Sequence, residues 1–568
     1  MPFVAPPRAA VNKVATVPAP TGGLNARDAL ANMPETDAIV LNNWWPEPYG
    51  LSVRPGSIAW AKDIPNGSGM LATWSSPSGE TKLFTVGSID NPGGHDGAIF
   101  DITTRADPLD PPPTAAYHGI GDAEPCTLQI VNDAGAHLFF ACGENTPAVV
   151  YNATGFHKIL VAAGPAPEPP VDYTWYDGPG DNTNQMTAHQ GRMWATDSKS
   201  SVGWYLPVDA VYGQWEPFDF GPQFTLGGGI WFMTTWTIDD GNGAEDHLVV
   251  VSTEGQAVVY GGTDPTDIAS WSLVGVYTVG RPVGTPNKGF VKVGGDLILL
   301  TQRGLVSMAG LLVSTKVNSA VNAVSSDKVQ PIIAEAVTFE PGLFAWQVFY
   351  HPTSNLFLVN MPPKTTASTV VLNDTTSGYG SLAQRQLAAN LVVNTVPWTA
   401  FTGIPATHWA TFENAPYFGT ADGRVYKAWT GWRDEVDLDD LNGKEVQTQV
   451  QQAYSYLGSP AVQKQVGMYR PGFLVVEQIN FGAVVEYDFI VRRLRIPSAG
   501  FGQPNFDLWD NASALWDGAL WSSGVVPDRR WIQAQGLGVA ASLRMSMASK
   551  SKILWVSTDY SYKVGGLL

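Results

Sequence analysis

Cysteine is nearly absent. Only Cys126 and Cys142 occur in 568 residues, which excludes a disulfide framework as the source of stability and gives no sign of an oxidising compartment. Charge is sparse as well: Asp, Glu, Lys and Arg make up 15% of the sequence, whereas long solvated helices favour Ala, Glu, Lys and Leu. No apolar run reaches the roughly 20 residues that a membrane-spanning helix needs. The nearest, residues 297–313, is broken by Gln302, Arg303 and glycines. The N-terminal stretch holds Arg8 and Lys13 but many prolines and no apolar h-region. It predicts an extended arm and not a secretory signal, in a protein made in the cytoplasm.

Chemistry-bearing motifs are also missing. The eight histidines (His95, His118, His137, His157, His189, His247, His351 and His408) form no His-x-x-x-His pair, and there is no Cys-x-x-Cys, so zinc has no sequence support. Neither NGSGM at Asn66 nor GKE at Gly443 has the spacing of a phosphate loop. A hydrolase elbow, G-x-S-x-G, does not occur. The acidic runs Asp434–Asp440 and Asp239–Asp246 lack the fixed ligand register of a calcium loop and read as solvated loops. No catalytic residue, metal or cofactor is assigned.

What the chain does have is 59 Gly and 42 Pro beside 21 Trp, 19 Tyr and 23 Phe. That mixture suits many short strands joined by turns around a large core. The stretch APYFGTADGRVYKA (415–428) sets two aromatic and β-branched runs either side of Asp422-Gly423, a strong hairpin signal. Similar strand–turn–strand units begin at Leu83, Leu138, Met193, Leu248, Leu297 and Leu356, where LFLV is answered by VVLN at Val370. The spacings are 55, 55, 55, 49, 59 and 61 residues. A period near 50 built from short strands marks a β-propeller, whose blades must stack to bury both faces. Seven hairpins predict about seven blades; six or eight also fit, because an outer strand can be lent across the ring closure.

Two segments break the period. Ser325 or Ser326 caps a short helix expected from Asp327, with Val329, Ile332, Ile333 and Val337 on its apolar side. Pro34, followed by Glu35 and Asp37, predicts a second helix stopped by Pro46 and Pro48. Beyond residue 430 the period ends. The expected division is an N-terminal arm and helix over 1–56, a propeller over 57–430, an acidic linker over 431–445 and a β-sandwich-like domain over 446–568. Charge divides at the same place. Residues 446–568 carry 11 basic and 8 acidic side chains, a net of +3, while residues 1–445 carry 22 against 43, a net of −21. In LWDNASALWDGALW, Trp509, Trp516 and Trp521 fit either a core or a partner-facing aromatic surface.

Several of these segments together resemble the tail nozzle proteins of short-tailed bacteriophages, also called tail tubular protein B or tail hub proteins. The resemblance lies in residues 22–56, with a Gly-Gly-Leu entry, an Asn-x-Trp-x-Pro and a closing Val-Arg-x-Gly. It continues in GDLILLTQRGLVSM with the following SSDKV segment and in WQVFYHPTSNLFLVNMP. Trp398 and Phe401 ahead of the 415–428 hairpin, and AYSYLGSPAVQKQVGMYRPGF, complete it. The matches run from about residue 20 to 480, and the family has no catalytic residues to carry over. The resemblance implies a virion tail component: a hexameric ring below the portal and adaptor proteins, contacted by tail fibre, spike or needle proteins. Its bore passes double-stranded DNA without sequence-specific binding.

On this reading Trp44, Trp45, Trp509, Trp516 and Trp521 are candidate partner contacts, and Asp239, Asp240, Asp434, Glu435 and Asp437 are candidate channel-facing carboxylates. The segment 22–56 is expected to pack with residues 446–568. The alternatives are a propeller enzyme degrading host surface polysaccharide or peptidoglycan, and a receptor-binding propeller. Turnover of polysaccharide, or a monomer that binds host cells, would distinguish them.

Overall fold

The computed structural model describes residues 12–91, 94–121, 124–143, 145–197, 200–239, 244–267, 269–313, 326–339, 346–362, 385–393, 395–438, 443–476, 479–490 and 526–567. The protein is built almost wholly from strands, with two short helices among the described residues. Six small antiparallel sheets form a ring, a six-bladed β-propeller. The first four blades have four strands each, opening with Met70–Ser75, Cys126–Asn132, Thr183–His189 and Ile230–Asp239. The fifth has three: Phe290–Val293, Asp296–Thr301 and Gly304–Ser307. The sixth is Ala406–Phe412, Ala415–Thr420 and Val425–Ala428, completed by Ser57–Ala61 from the other end of the chain. That borrowed strand pairs Ser57 with Ala428 and Ala61 with Val425.

Six lies within the range that the hairpin count allows, and the Leu356 unit is the one that forms no separate blade. The Leu356 hairpin belongs to a four-stranded meander: Gln347–His351, Leu356–Met361, Arg385–Asn390 and Trp398–Thr402. Its first strand packs between the inner strands of blades five and six, so it occupies a place in the ring. Its last strand continues through Asp37–Asn42, Lys444–Gln452, Ala541–Ser549 and Phe481–Tyr487 into a sheet of ten strands. The strand answering Leu356 is Arg385–Asn390; Val370 lies outside the described residues.

Each junction between neighbouring blades holds its own apolar core, because inward-facing residues alternate along every strand. Trp74 and Phe84 of the first blade meet Phe140 and Tyr151 of the second. Trp194 of the third stacks on Trp271 of the fourth at 5.9 Å between ring centroids. A buried aromatic contributes roughly 1.5–3 kcal/mol, so these junctions supply much of the ring's cohesion.

The second sheet of the C-terminal part pairs Val462–Val475 with Ile553–Leu567, flanked by Trp44–Glu47 with Gly50–Val53 and by Lys13–Pro18. It packs face to face on the ten-stranded sheet as a sandwich. Tyr560 Oη donates across the interface to Gln452 Oε1 at 3.2 Å, and Tyr469 Oη to the Ala483 carbonyl at 3.1 Å.

Both helix expectations need correction. Residues 37–42 form a strand, because Ile39, Val40 and Leu41 pack in a sheet whose partner strand Lys444–Gln452 supplies the hydrogen bonds. Pro34 only opens the preceding turn, where its carbonyl accepts from the Asp37 N–H. The insertion after the fifth blade carries two helices, Met308–Val313 and Gln330–Phe339. The second begins at Gln330 and not Asp327: the Ser326 carbonyl accepts from the N–H groups of Val329 and Gln330. Val329, Ile333 and Val337 are buried, as the pattern predicts.

Candidate functional site

Two buried polar clusters join distant parts of the chain. The first welds the propeller to the sandwich. Val53-Arg54-Pro55-Gly56 leaves the sandwich and enters the closing strand of blade six. Arg54 is 1% exposed and bidentate to Asp434, with nitrogens 2.7 and 2.5 Å from Oδ1 and Oδ2. Its Nε donates to Asn43 Oδ1 at 2.9 Å, and its guanidinium lies 5.6 Å from the Phe401 ring centroid. Asn43 adopts φ 59°, a left-handed conformation that Asn tolerates, and donates to the carbonyls of Thr402 and Gln447. Gly56 is required by proximity: a Cβ there would overlap the Arg433 carbonyl. A planar, doubly hydrogen-bonded pair of this kind fixes orientation as well as charge.

The second cluster lies on the propeller axis. Glu124 precedes the first strand of blade two, and Lys288 precedes the first strand of blade five. Those blades lie on opposite sides of the ring, so a direct contact between them has to cross its centre. Lys288 Nζ makes that contact, an ion pair to Glu124 Oε1, with the side chains 5% and 6% exposed. Burial pushes the Lys288 ammonium down, to about 7, and the abutting carboxylate offsets that cost. His408, on the first strand of blade six, is 1% exposed and is held well below its usual pKa by burial and then by the Lys288 charge. These side chains tie blades two, five and six together near the axis. They bring together no nucleophile with an activating base, and no group of three potential metal-ligating side chains occurs among the described residues. Cys126 and Cys142 are both buried and form no disulfide, and burial pushes Cys126 up to about 12.

The residues singled out from sequence are scattered. Trp44 is fully buried against Trp555, with 6.0 Å between ring centroids, and Trp45 is 7% exposed between Phe401 and Trp429. Both are core of this chain and are withdrawn as partner contacts: a Trp pair on one strand faces both sides of a sheet buried on both. Trp509, Trp516 and Trp521 lie outside the described residues. Asp434 is the partner of Arg54, which removes it from any channel wall. Glu435 pairs with Lys444, and Asp437 lies half-exposed 4.0 Å from Arg424. Asp239 ends a strand of blade four opposite Ala244, and Asp240 lies outside the described residues. The acidic run at 434–437 is therefore largely neutralised and held between the two parts, with Asp434 pairing with Lys444 of the sandwich and Val436 bridging to Ile58 of blade six. Sequence reasoning missed Glu124 and Lys288, since nothing local marks two residues 164 positions apart as partners.

No known protein family model and no curated protein matches this chain.

Proposed function

We propose that the protein is a structural subunit of a short-tailed phage tail: one wall segment of a hexameric nozzle ring below the portal and adaptor, through which DNA leaves. The observation that carries the reading is the weld. The segments of the family resemblance, residues 22–56 above all, are the ones that cross from sandwich to propeller and lock there through Asn43, Arg54 and Asp434. A wall element that withstands the passage of a packaged genome needs that rigidity; a monomeric lectin or glycosidase does not. The net charge of −21 over residues 1–445 favours transit, since few phosphate-neutralising contacts means weak retention.

Electron microscopy of the purified protein tests this. Rings with a central opening, and weak duplex binding at physiological salt, are expected. A protein that stays monomeric at high concentration, or that hydrolyses capsular polysaccharide or peptidoglycan, overturns the proposal.

A further inference from the structure

The charge boundary near residue 445 has a structural counterpart in the sandwich. Residues 446–568 carry a net of +3 against −21 upstream. In the sheet that pairs Val462–Val475 with Ile553–Leu567, alternation turns Tyr469, Tyr560 and Tyr562 into the core and sends Arg470, Asp559, Ser561 and Lys563 to the outside. Register sets these in rows across the strands: Thr16 beside Asp559 beside Arg470, and Gln465 beside Lys563. Trp531 closes the first row, its ring centroid 4.6 Å from the Arg470 guanidinium. Arg529 lies over Gly472 in the row beyond, where an added Cβ would stand 3.7 Å from its Nε.

Asp559 is the carboxylate in these rows, and it is fully engaged. Its Oδ1 accepts from Thr16 Oγ1 at 2.6 Å, and its Oδ2 from Arg470 Nε and Nη2 at 3.0 and 2.6 Å. Arg529 and Lys563 are exposed and form no ion pair among the described residues. Two cations thus stand uncompensated on a chain of net −18. Around them lie the hydroxyl of Ser561 and the amides of Gln465 and Gln533. Arg, Lys, Ser and Gln are side chains that meet DNA phosphates. A protein partner with an apolar centre fits less well. Val14 and Met468 are 61% and 40% exposed, but Ser561 lies between them in register. About 10 Å separates the two, so they form no continuous desolvated centre.

We propose that duplex DNA runs along this outer sheet face, with its phosphates meeting Arg529 and Lys563. The proposal rests on the ring reading above and names the surface turned toward the bore. The acidic propeller turns a duplex away, the sheet face receives it, and the two contacts that a subunit offers give way readily to salt.

Anisotropy of a fluorescent duplex with the full chain over a salt series tests this. Binding is expected at low ionic strength, with log affinity falling against log salt at a slope of about −2 for two phosphate contacts. The double variant Arg529→Glu/Lys563→Glu should bind at least ~10-fold more weakly and still form rings. Lys158→Glu/Arg281→Glu, which reverses as much charge on the propeller, should bind as wild type does. A second measurement does not depend on reversed charges: a photocrosslinker on Ser561→Cys should couple to duplex, and one on Lys158→Cys should not. Equal binding by the two double variants, or no coupling from Ser561→Cys, overturns this contact and leaves the ring reading standing. Rings lost in Arg529→Glu/Lys563→Glu with duplex binding unchanged assign the face to a protein neighbour and overturn it too. A wild type that makes no ring overturns both.

Discussion

The Glu124–Lys288 bolt shows what one pair of residues contributes. Two buried charges in contact stabilise little relative to a well-packed apolar pair, but stripping one from the other is costly, about 3–5 kcal/mol. Glu124→Gln and Lys288→Met should each lower the urea unfolding free energy by that amount. Combining Glu124→Leu with Lys288→Met should recover most of it. Single variants that unfold like wild type would show that the pair carries no such weight. Gly56 offers a second test at this scale. Gly56→Ala forces a Cβ into the Arg433 carbonyl, so a loss of about 1–3 kcal/mol is expected. A thermal midpoint unchanged by that substitution would mean that the close approach relaxes freely.

Among the elements, those formed by neighbours in sequence were legible. The hairpins at Leu83, Leu138, Met193, Leu248, Leu297 and Tyr417 all exist, because apolar runs and turn residues at short separation determine them. Elements defined by distant partners were not. The residues 37–42 strand was read as a helix, since Pro34 and two acidic residues mimic a helix start and the partner strand lies some 400 residues away. The Leu356 meander was read as a free blade because nothing in its spacing reveals that its outer strand adjoins the sandwich. The candidate site fared worse still: the axial pair has no local signal, and Trp44 and Trp45 are core.

The borrowed strand Ser57–Ala61 yields a prediction of its own. A chain lacking residues 1–61 leaves the outer edge of Val425–Ala428 without a partner strand and should let hydrogen exchange reach blade six. A chain lacking residues 1–56 keeps that strand. Equal protection of residues 415–428 in the two would count against a closure role.

At the scale of the whole molecule, acid should loosen the fold before the carboxylates titrate. Burial lowers His189 to about 4, outweighing Asp246 nearby, and holds His408 well below its usual pKa. Unfolded, each takes a proton near 6.5. Between pH 6.5 and 4 the unfolded chain thus binds more protons, and stability falls as pH is lowered through that window, by about 3 kcal/mol for His189 alone. Urea midpoints should decline from pH 7 to 4.5, and less steeply in His189→Asn; parallel slopes would refute the assignment.

The pairing of Lys13–Pro18 with Ile553–Leu567 has a consequence for how the protein is made. Thr16 meets Asp559 across 543 positions, so this strand is made before all the blades and its partner after them. Contacts of such separation form late and slowly. Meanwhile the blades, each local in sequence, have time to close one after another. A message cut short would release a propeller with its sandwich unfinished. The sheet that joins these two strands is thereby the last to form.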